Sequence, residues 1–313
     1  IINKKGEFLE KVSALDSVGG WISHLFEYIS GSLKEVTFEV YALEDIKAAD
    51  GESEDYYKKD DLIATITTDE TGVAKLTDLP LGKYYVKEKE TANGYVLDST
   101  AREIDLTYRD QDTAEVTYSS DWQNNRQKAE VKVLKKEKDS DRVLEGAVFA
   151  LCNKEDIVNA NGDVILKADT VIEEQATDKE GKLTFTADLP IGYTYYVKET
   201  SPAPGFATTD HVQEFTFEYE GADKETLSYE FTFEDEPTVV EITKTSLTDG
   251  KELEGAKLEV TDEDGKVVDS WTSGKEAHII KELVAGKKYT LTETKPADGY
   301  VTAESITFTV EDS

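Results

Sequence analysis

Methionine is absent from all 313 residues, and cysteine occurs once. The missing initiator predicts an internal or processed piece of a longer chain, with no signal peptide to give an address. A single thiol excludes any intramolecular disulfide. Cys152 ends the strand-like run Val148-Phe149-Ala150-Leu151-Cys152, with no His or basic partner in the motif, which predicts a packed thiol rather than a nucleophile. Histidine is nearly as scarce: His24, His211 and His278 share no metal-ligand spacing, so no metal site is expected. No apolar run approaches the length of a membrane span. Positive charge is also short, 35 Lys and Arg against 67 Asp and Glu, for a net charge of −32. That balance argues against nucleic acid or an anionic membrane as partner and favours a soluble, self-repelling rod. P-loop, dinucleotide and hydrolase signatures are missing as well. Neither a cofactor nor an enzyme acting on an external substrate is expected.

What the chain does contain is one short block, three times over. Tyr84-Tyr85-Val86-Lys87-Glu88 closes on Gly94-Tyr95, Tyr195-Tyr196-Val197-Lys198-Glu199 on Gly205-Phe206, and Tyr289-Thr290-Leu291-Thr292-Glu293 on Gly299-Tyr300. Each glutamate sits six residues before its glycine, on an apolar/polar alternation whose register points it toward a core. A carboxylate there is expensive unless something uses it.

Reading outward, the repeats align over most of the chain. Val131-Lys132-Val133-Leu134-Lys135 leads through Leu144-Glu145-Gly146-Ala147 into a strand. Val240-Glu241-Ile242-Thr243-Lys244 leads through Leu253-Glu254-Gly255-Ala256 into another. The first copy has its second strand at Val36–Tyr41 and its opening strand near Phe8-Leu9-Glu10-Lys11, with an insertion between them. Asp69-Glu70-Thr71-Gly72 and Asp178-Lys179-Glu180-Gly181 read as hairpin turns. Leu79-Pro80-Leu81-Gly82 and Leu189-Pro190-Ile191-Gly192 read as turns before the glutamate strands. The pattern predicts an all-β protein of three tandem immunoglobulin-like or prealbumin-like antiparallel sandwiches, at 1–127, 128–236 and 237–313. Short linkers make the array stiff.

Thirty-six residues after Glu88 stands Asn124, and the same offset from Glu199 reaches Asp235. Domains one and two thus carry a Lys in the first strand, a Glu in the middle and an Asn or Asp in the last. Burial favours the neutral, nucleophilic amine and the protonated carboxyl. The carboxyl can then polarise the Asn or Asp carbonyl while proximity lowers the barrier. The product is an amide crosslink, with loss of ammonia from Asn or water from Asp.

The block around Glu293, the openings such as Ile242-Thr243-Lys244 and the endings such as Asp235-Glu236-Pro237 resemble SpaA-type and collagen-adhesin B-type domains of Gram-positive pilins and surface adhesins. The resemblance implies a prealbumin-like sandwich with an autocatalytic isopeptide bond, at the bacterial cell wall. Carried over by position, domain two uses Lys135, Glu199 and Asp235. Domain one uses Lys11, Glu88 and Asn124, with Asn125 the alternative acceptor. Domain three has Lys244 and Glu293, but the same offset runs past Ser313, so it is expected to stay uncrosslinked here. No sorting signal or pilin-polymerising lysine motif is present, which predicts an internal stalk segment beside neighbouring domains of a larger surface protein. The alternative is a module that binds a host protein or glycan.

The insertion at 17–32 fits the repeat least. Trp21, Ile22, Leu25, Phe26 and Ile29 recur at helical spacing, predicting a short amphipathic helix that caps domain one or presents a patch to a partner. Asn159–Asp163 and Asp262–Gly265 lack the full calcium-ligand series and read as turns.

Overall fold

A computed structural model describes residues 1–15, 20–48 and 50–312, and contains strands and no helix among them. Domain one holds β1 (Ile2–Leu15), β2 (Ser23–Ser32), β3 (Thr37–Ala42), β4 (Leu62–Thr67), β5 (Val73–Ala74), β6 (Lys83–Glu90), β7 (Arg102–Asp105) and β8 (Ser120–Gln123). Domain two holds β9 (Lys128–Glu137), β10 (Val148–Asn153), β11 (Ile157–Val158), β12 (Val164–Leu166), β13 (Val171–Ala176), β14 (Lys182–Thr184), β15 (Tyr193–Ser201), β16 (Val212–Phe217) and β17 (Thr226–Asp235). Domain three holds β18 (Val239–Ile242), β19 (Lys257–Thr261), β20 (Val267–Thr272), β21 (His278–Lys281), β22 (Lys288–Lys295) and β23 (Ile306–Thr309).

Each domain is a sandwich whose larger layer is antiparallel: β4-β3-β6-β7, β13-β10-β15-β16 and β20-β19-β22-β23. Alternation along these strands builds the core. On β6, Tyr84, Val86 and Glu88 point inward and their neighbours outward, so the carboxylate continues an apolar row. The facing layer is β5-β1-β8 in domain one, β14-β9-β17 in domain two and β21-β18 in domain three. Its first and last strands run parallel, β1 beside β8 and β9 beside β17. The β9/β17 pairing covers ten residues and the β1/β8 pairing four. Where the shorter pairing stops, a cavity of about 880 Å³ lined by Ile2, Leu76, Tyr84, Ile104 and Tyr118 lies within domain one.

The expected helix is a strand. Residues 17–19 of the insertion lie outside the described residues and 20–22 are not strand; Ser23–Ser32 forms β2, paired antiparallel with β1 from Lys5↔Ser32 to Leu15↔Ser23. It is not an insertion between strands but an elongated first hairpin. Leu33 N–H donates to Lys4 O at 2.9 Å, as Leu144 N–H donates to Lys135 O at 3.0 Å in the short hairpin of domain two. A neighbouring strand across the whole length satisfies the backbone, which an isolated short helix could not match.

That hairpin reaches past domain one. Phe26 is 3% exposed, inside the core of domain two with Val133 and Phe149, and Leu9, Val12 and Tyr28 pack against the same cluster. At Ser23↔Glu173 the hairpin joins β13, so one sheet runs through both domains. Arg126 completes the junction: its guanidinium lies 3.4 Å from the Tyr28 ring centroid and 2.6 Å from Asp188. At the next junction Arg142 grips Glu282 with two bonds of 2.6 and 2.9 Å, and Thr238 Oγ1 donates to Leu283 O at 2.6 Å. Asn159 Oδ1 accepts from the N–H groups of Asn161 and Asp163, which makes that segment the turn of the β11–β12 hairpin. Cys152 is fully buried, and burial pushes its thiol up.

Candidate crosslinking sites

All three repeat glutamates point into the sandwich from the larger layer. Glu88, Glu199 and Glu293 are 3%, 7% and 6% exposed. Each stands opposite an apolar residue of the neighbouring strand, Phe38, Phe149 or Leu258. In all three the pairing shifts register beside that residue. A bulge bends the strand and re-aims the side chain that follows it.

In domain two, Lys135 on β9 meets Glu199 and Asp235 with all three side chains fully buried. Lys135 Nζ lies 2.9 Å from Glu199 Oε1 and donates to Asp235 Oδ1. Phe149 stands 5.5 Å from the ammonium and packs against Phe233, which keeps the pocket dry. Removing such charges from water costs several kcal/mol per ion. Glu199 is accordingly pushed up to about 7, by burial first, with Lys135 opposing and Asp235 adding to the rise. Burial raises Asp235 too, again against Lys135. Glu199 Oε1 and Asp235 Oδ2 are buried without a hydrogen bond. Burial of two carboxyls beside one lysine favours keeping a proton on the pair.

Domain one has the same arrangement with a different lysine. Lys11, the expected nucleophile, lies on the elongated hairpin, its side chain 56% exposed and 3.2 Å from Glu27 directly across the strand pair. The amine at the site is Lys4, whose Nζ donates to Glu88 Oε2 at 2.6 Å and to Asn124 Oδ1 at 2.5 Å. The correction follows from the hairpin: its extra residues come after Lys4, so the opening strand begins at Ile2 rather than near Phe8. Burial pushes the Lys4 amine below the ordinary lysine range, against the pull of Glu88. Phe38 and Trp122 wall it at 5.7 and 5.9 Å. Asn124 Nδ2 donates to Glu88 Oε1 and, at 2.7 Å, to Thr91 Oγ1. Asn125, the other candidate acceptor, makes no side-chain hydrogen bond to Lys4 or Glu88 among the described residues, while its carbonyl accepts from Val96 N–H.

The two sites share one register. Lys4 pairs with Trp122 and Lys135 with Phe233, so each acceptor stands two residues beyond its lysine's partner on the parallel last strand. In domain three Lys244 Nζ lies 3.1 Å from Glu293 Oε1, and no Asn or Asp side chain pairs with it among the described residues. The hairpin patch is divided: Trp21, Ile22 and Leu25 are exposed, whereas Phe26 is withdrawn into domain two.

A family model described as the SpaA prealbumin-like fold domain matches residues 29–122, 129–232 and 238–313. Among solved structures, the Bacillus anthracis TIE protein is 24% identical with a TM-score of 0.55, covering 93% of this chain and 53% of that one. This chain therefore spans about half the length of that protein, and the likeness establishes fold alone. BcpA, the major pilin subunit of Bacillus cereus, is 16% identical over 99% of this chain and 94% of its own, with a TM-score of 0.42. The shaft pilin spaA of Lactobacillus rhamnosus GG is 18% identical over 59% of this chain and 94% of its own, with a TM-score of 0.29. No curated protein matches the chain.

Proposed function

We propose that this chain, which belongs to the SpaA prealbumin-like fold domain family, is a force-carrying shaft segment whose first two domains are closed by Lys4–Asn124 and Lys135–Asp235 amide bonds. The observation that carries the reading is a repetition: two fully buried Lys–Glu–Asn/Asp triads in one register, each joining first strand to last. The chemistry needs nothing from outside. The lysine nitrogen, once it has given up a proton, attacks Cγ of the acceptor, and the buried glutamate beside both groups carries that proton. In domain one the Cγ–Nδ2 bond breaks, one proton from Nζ reaches the departing nitrogen through Glu88, and ammonia leaves. In domain two a Cγ–O bond breaks, and the departing oxygen takes one proton from Nζ and one from the carboxyl pair and leaves as water. Neither glutamate enters the new bond, but each lysine is consumed, so every site turns over once.

The mechanical consequence follows from the topology. Tension enters domain two along β9, crosses at Lys135 to Asp235 and leaves at once toward β18, bypassing everything between. Domain one passes tension from Lys4 to Asn124 in the same way. The braced junctions at Phe26, Arg126 and Arg142 suit a stiff shaft. That role places the chain outside a Gram-positive cell, joined to neighbouring domains or subunits of a larger surface assembly. A second reading, an adhesive module for a host protein or glycan, rests on the exposed Trp21, Ile22 and Leu25; it requires saturable binding weakened by Trp21→Ala. The shaft reading is tested by crystallography of the purified chain. Continuous density from Lys135 Nζ to Asp235 Cγ is expected, and separated side chains at full occupancy would refute it.

A further inference from the structure

Domain one's acceptor is an asparagine and domain two's an aspartate, and the turn after the glutamate differs as well. Three residues past the glutamate stands Thr91 in domain one, but Pro202 in domain two and Pro296 in domain three. Proline suits this turn, since it fixes φ three residues before the glycine that reverses the chain. Threonine gives up that rigidity. The turn in domain one is held instead by Tyr95, whose hydroxyl donates to Glu7 O at 2.7 Å and whose ring occupies the space a side chain at Gly6 would need. The backbone therefore does not explain the threonine. Its hydroxyl does: Thr91 Oγ1 accepts from Asn124 Nδ2 at 2.7 Å.

That bond completes the environment of the amide. Asn124 Oδ1 accepts from Lys4, and its two N–H donors go to Glu88 and Thr91. The proline of domain two has no side-chain hydroxyl to give. Resting on the crosslink reading above, we propose that Thr91 is a positioning residue that holds the Asn124 amide for attack. With Lys4 on Oδ1 and Glu88 on Nδ2 setting which way the amide faces, the Thr91 hydroxyl holds it there. Oδ1 and Cγ then face the amine, and the leaving nitrogen stays beside the glutamate that returns its proton. The step balances as before: Nζ–Cγ forms, Cγ–Nδ2 breaks, and ammonia departs with one proton from Nζ.

The test is a refolding time course of the full chain recovered unfolded and unreacted in urea from inclusion bodies, with each amide followed by mass spectrometry of its branched peptide. The Lys135–Asp235 bond in the same molecules serves as the folding control. Thr91→Val is expected to slow Lys4–Asn124 formation about tenfold, the worth of one net hydrogen bond, while domain two keeps its rate. Thr91→Ser restores the rate. A Thr91→Val chain that closes domain one at the wild-type rate overturns the proposal while leaving the crosslink intact. So does a Thr91→Ser chain as slow as Thr91→Val, which would mark a merely structural role. A wild-type chain that forms no Lys4–Asn124 amide overturns the crosslink reading and this role together.

Discussion

Replacing Glu199 by glutamine keeps the shape of the domain-two site but removes the carboxyl that handles the proton. The variant should fold and fail to close Lys135 onto Asp235. Pulled by its ends in an optical trap or force microscope, it should then extend where the parent chain cannot. The crosslinked residues stand 100 positions apart. At about 3.3–3.6 Å per extended residue, the released segment adds about 330–360 Å of contour, less the short distance its ends already span. The parent should release nothing from domains one and two, because tension crosses both through covalent bonds. Domain one spans 120 positions between Lys4 and Asn124, so a Lys4→Ala chain should release a correspondingly longer segment. A parent chain that yields full-length releases for both domains refutes the reasoning, as does a Glu199→Gln chain that releases nothing new.

Closing a loop of this length removes unfolded-state entropy worth about 4–5 kcal/mol if it acts as a disulfide would. The Glu199→Gln chain should therefore show its domain-two transition about 20–35 °C lower in calorimetry; an unchanged transition counts against the bond. Glu199 is raised to about 7, chiefly by burial. A carboxyl raised in the folded state gives stability that is full below its ordinary pKa of 4.5 and is lost as pH rises through about 7. The unreacted triad should thus be least stable, and bond formation in domain two slowest, on the alkaline side of 7; a refolding rate that climbs steadily through 7 would contradict the assigned proton. Phe26→Ala should cost about 3–5 kcal/mol of packing, felt in domain two although Phe26 belongs to domain one's hairpin. Faster amide exchange in β10 and β13 is the expected readout, and loosening confined to domain one would refute the shared core.

The glutamates were legible because a strand's two-residue period says which way each side chain points, and Tyr84, Val86 and Glu88 share one inward row. The acceptors were legible because the offset to the last strand repeats. Lys4 was missed for a physical reason. A hairpin can lengthen at its tip without disturbing its base, so added residues moved the lysine away from Glu88 in sequence but not in space. Ile2 and Lys4, both buried on one face of β1, were the available signal at the chain's first residues. The false helix came from Trp21, Ile22, Leu25, Phe26 and Ile29, whose spacing fits a helix in isolation. It is the partner strand β1 and the core of another domain that decide the matter, burying Phe26 while leaving Leu25 exposed. Thr91 could not be found from one copy; only its contrast with Pro202 and Pro296, read beside the contact to Asn124, gives it meaning.

Mass spectrometry of the purified, denatured chain reads the two bonds themselves. Its mass should lie below that of the sequence by one ammonia and one water. Digestion should give two branched peptides, joining Lys4 to Asn124 and Lys135 to Asp235, with Lys11 in an unbranched one. A chain at its full sequence mass, with Lys4 and Lys135 both recovered in linear peptides, would contradict it.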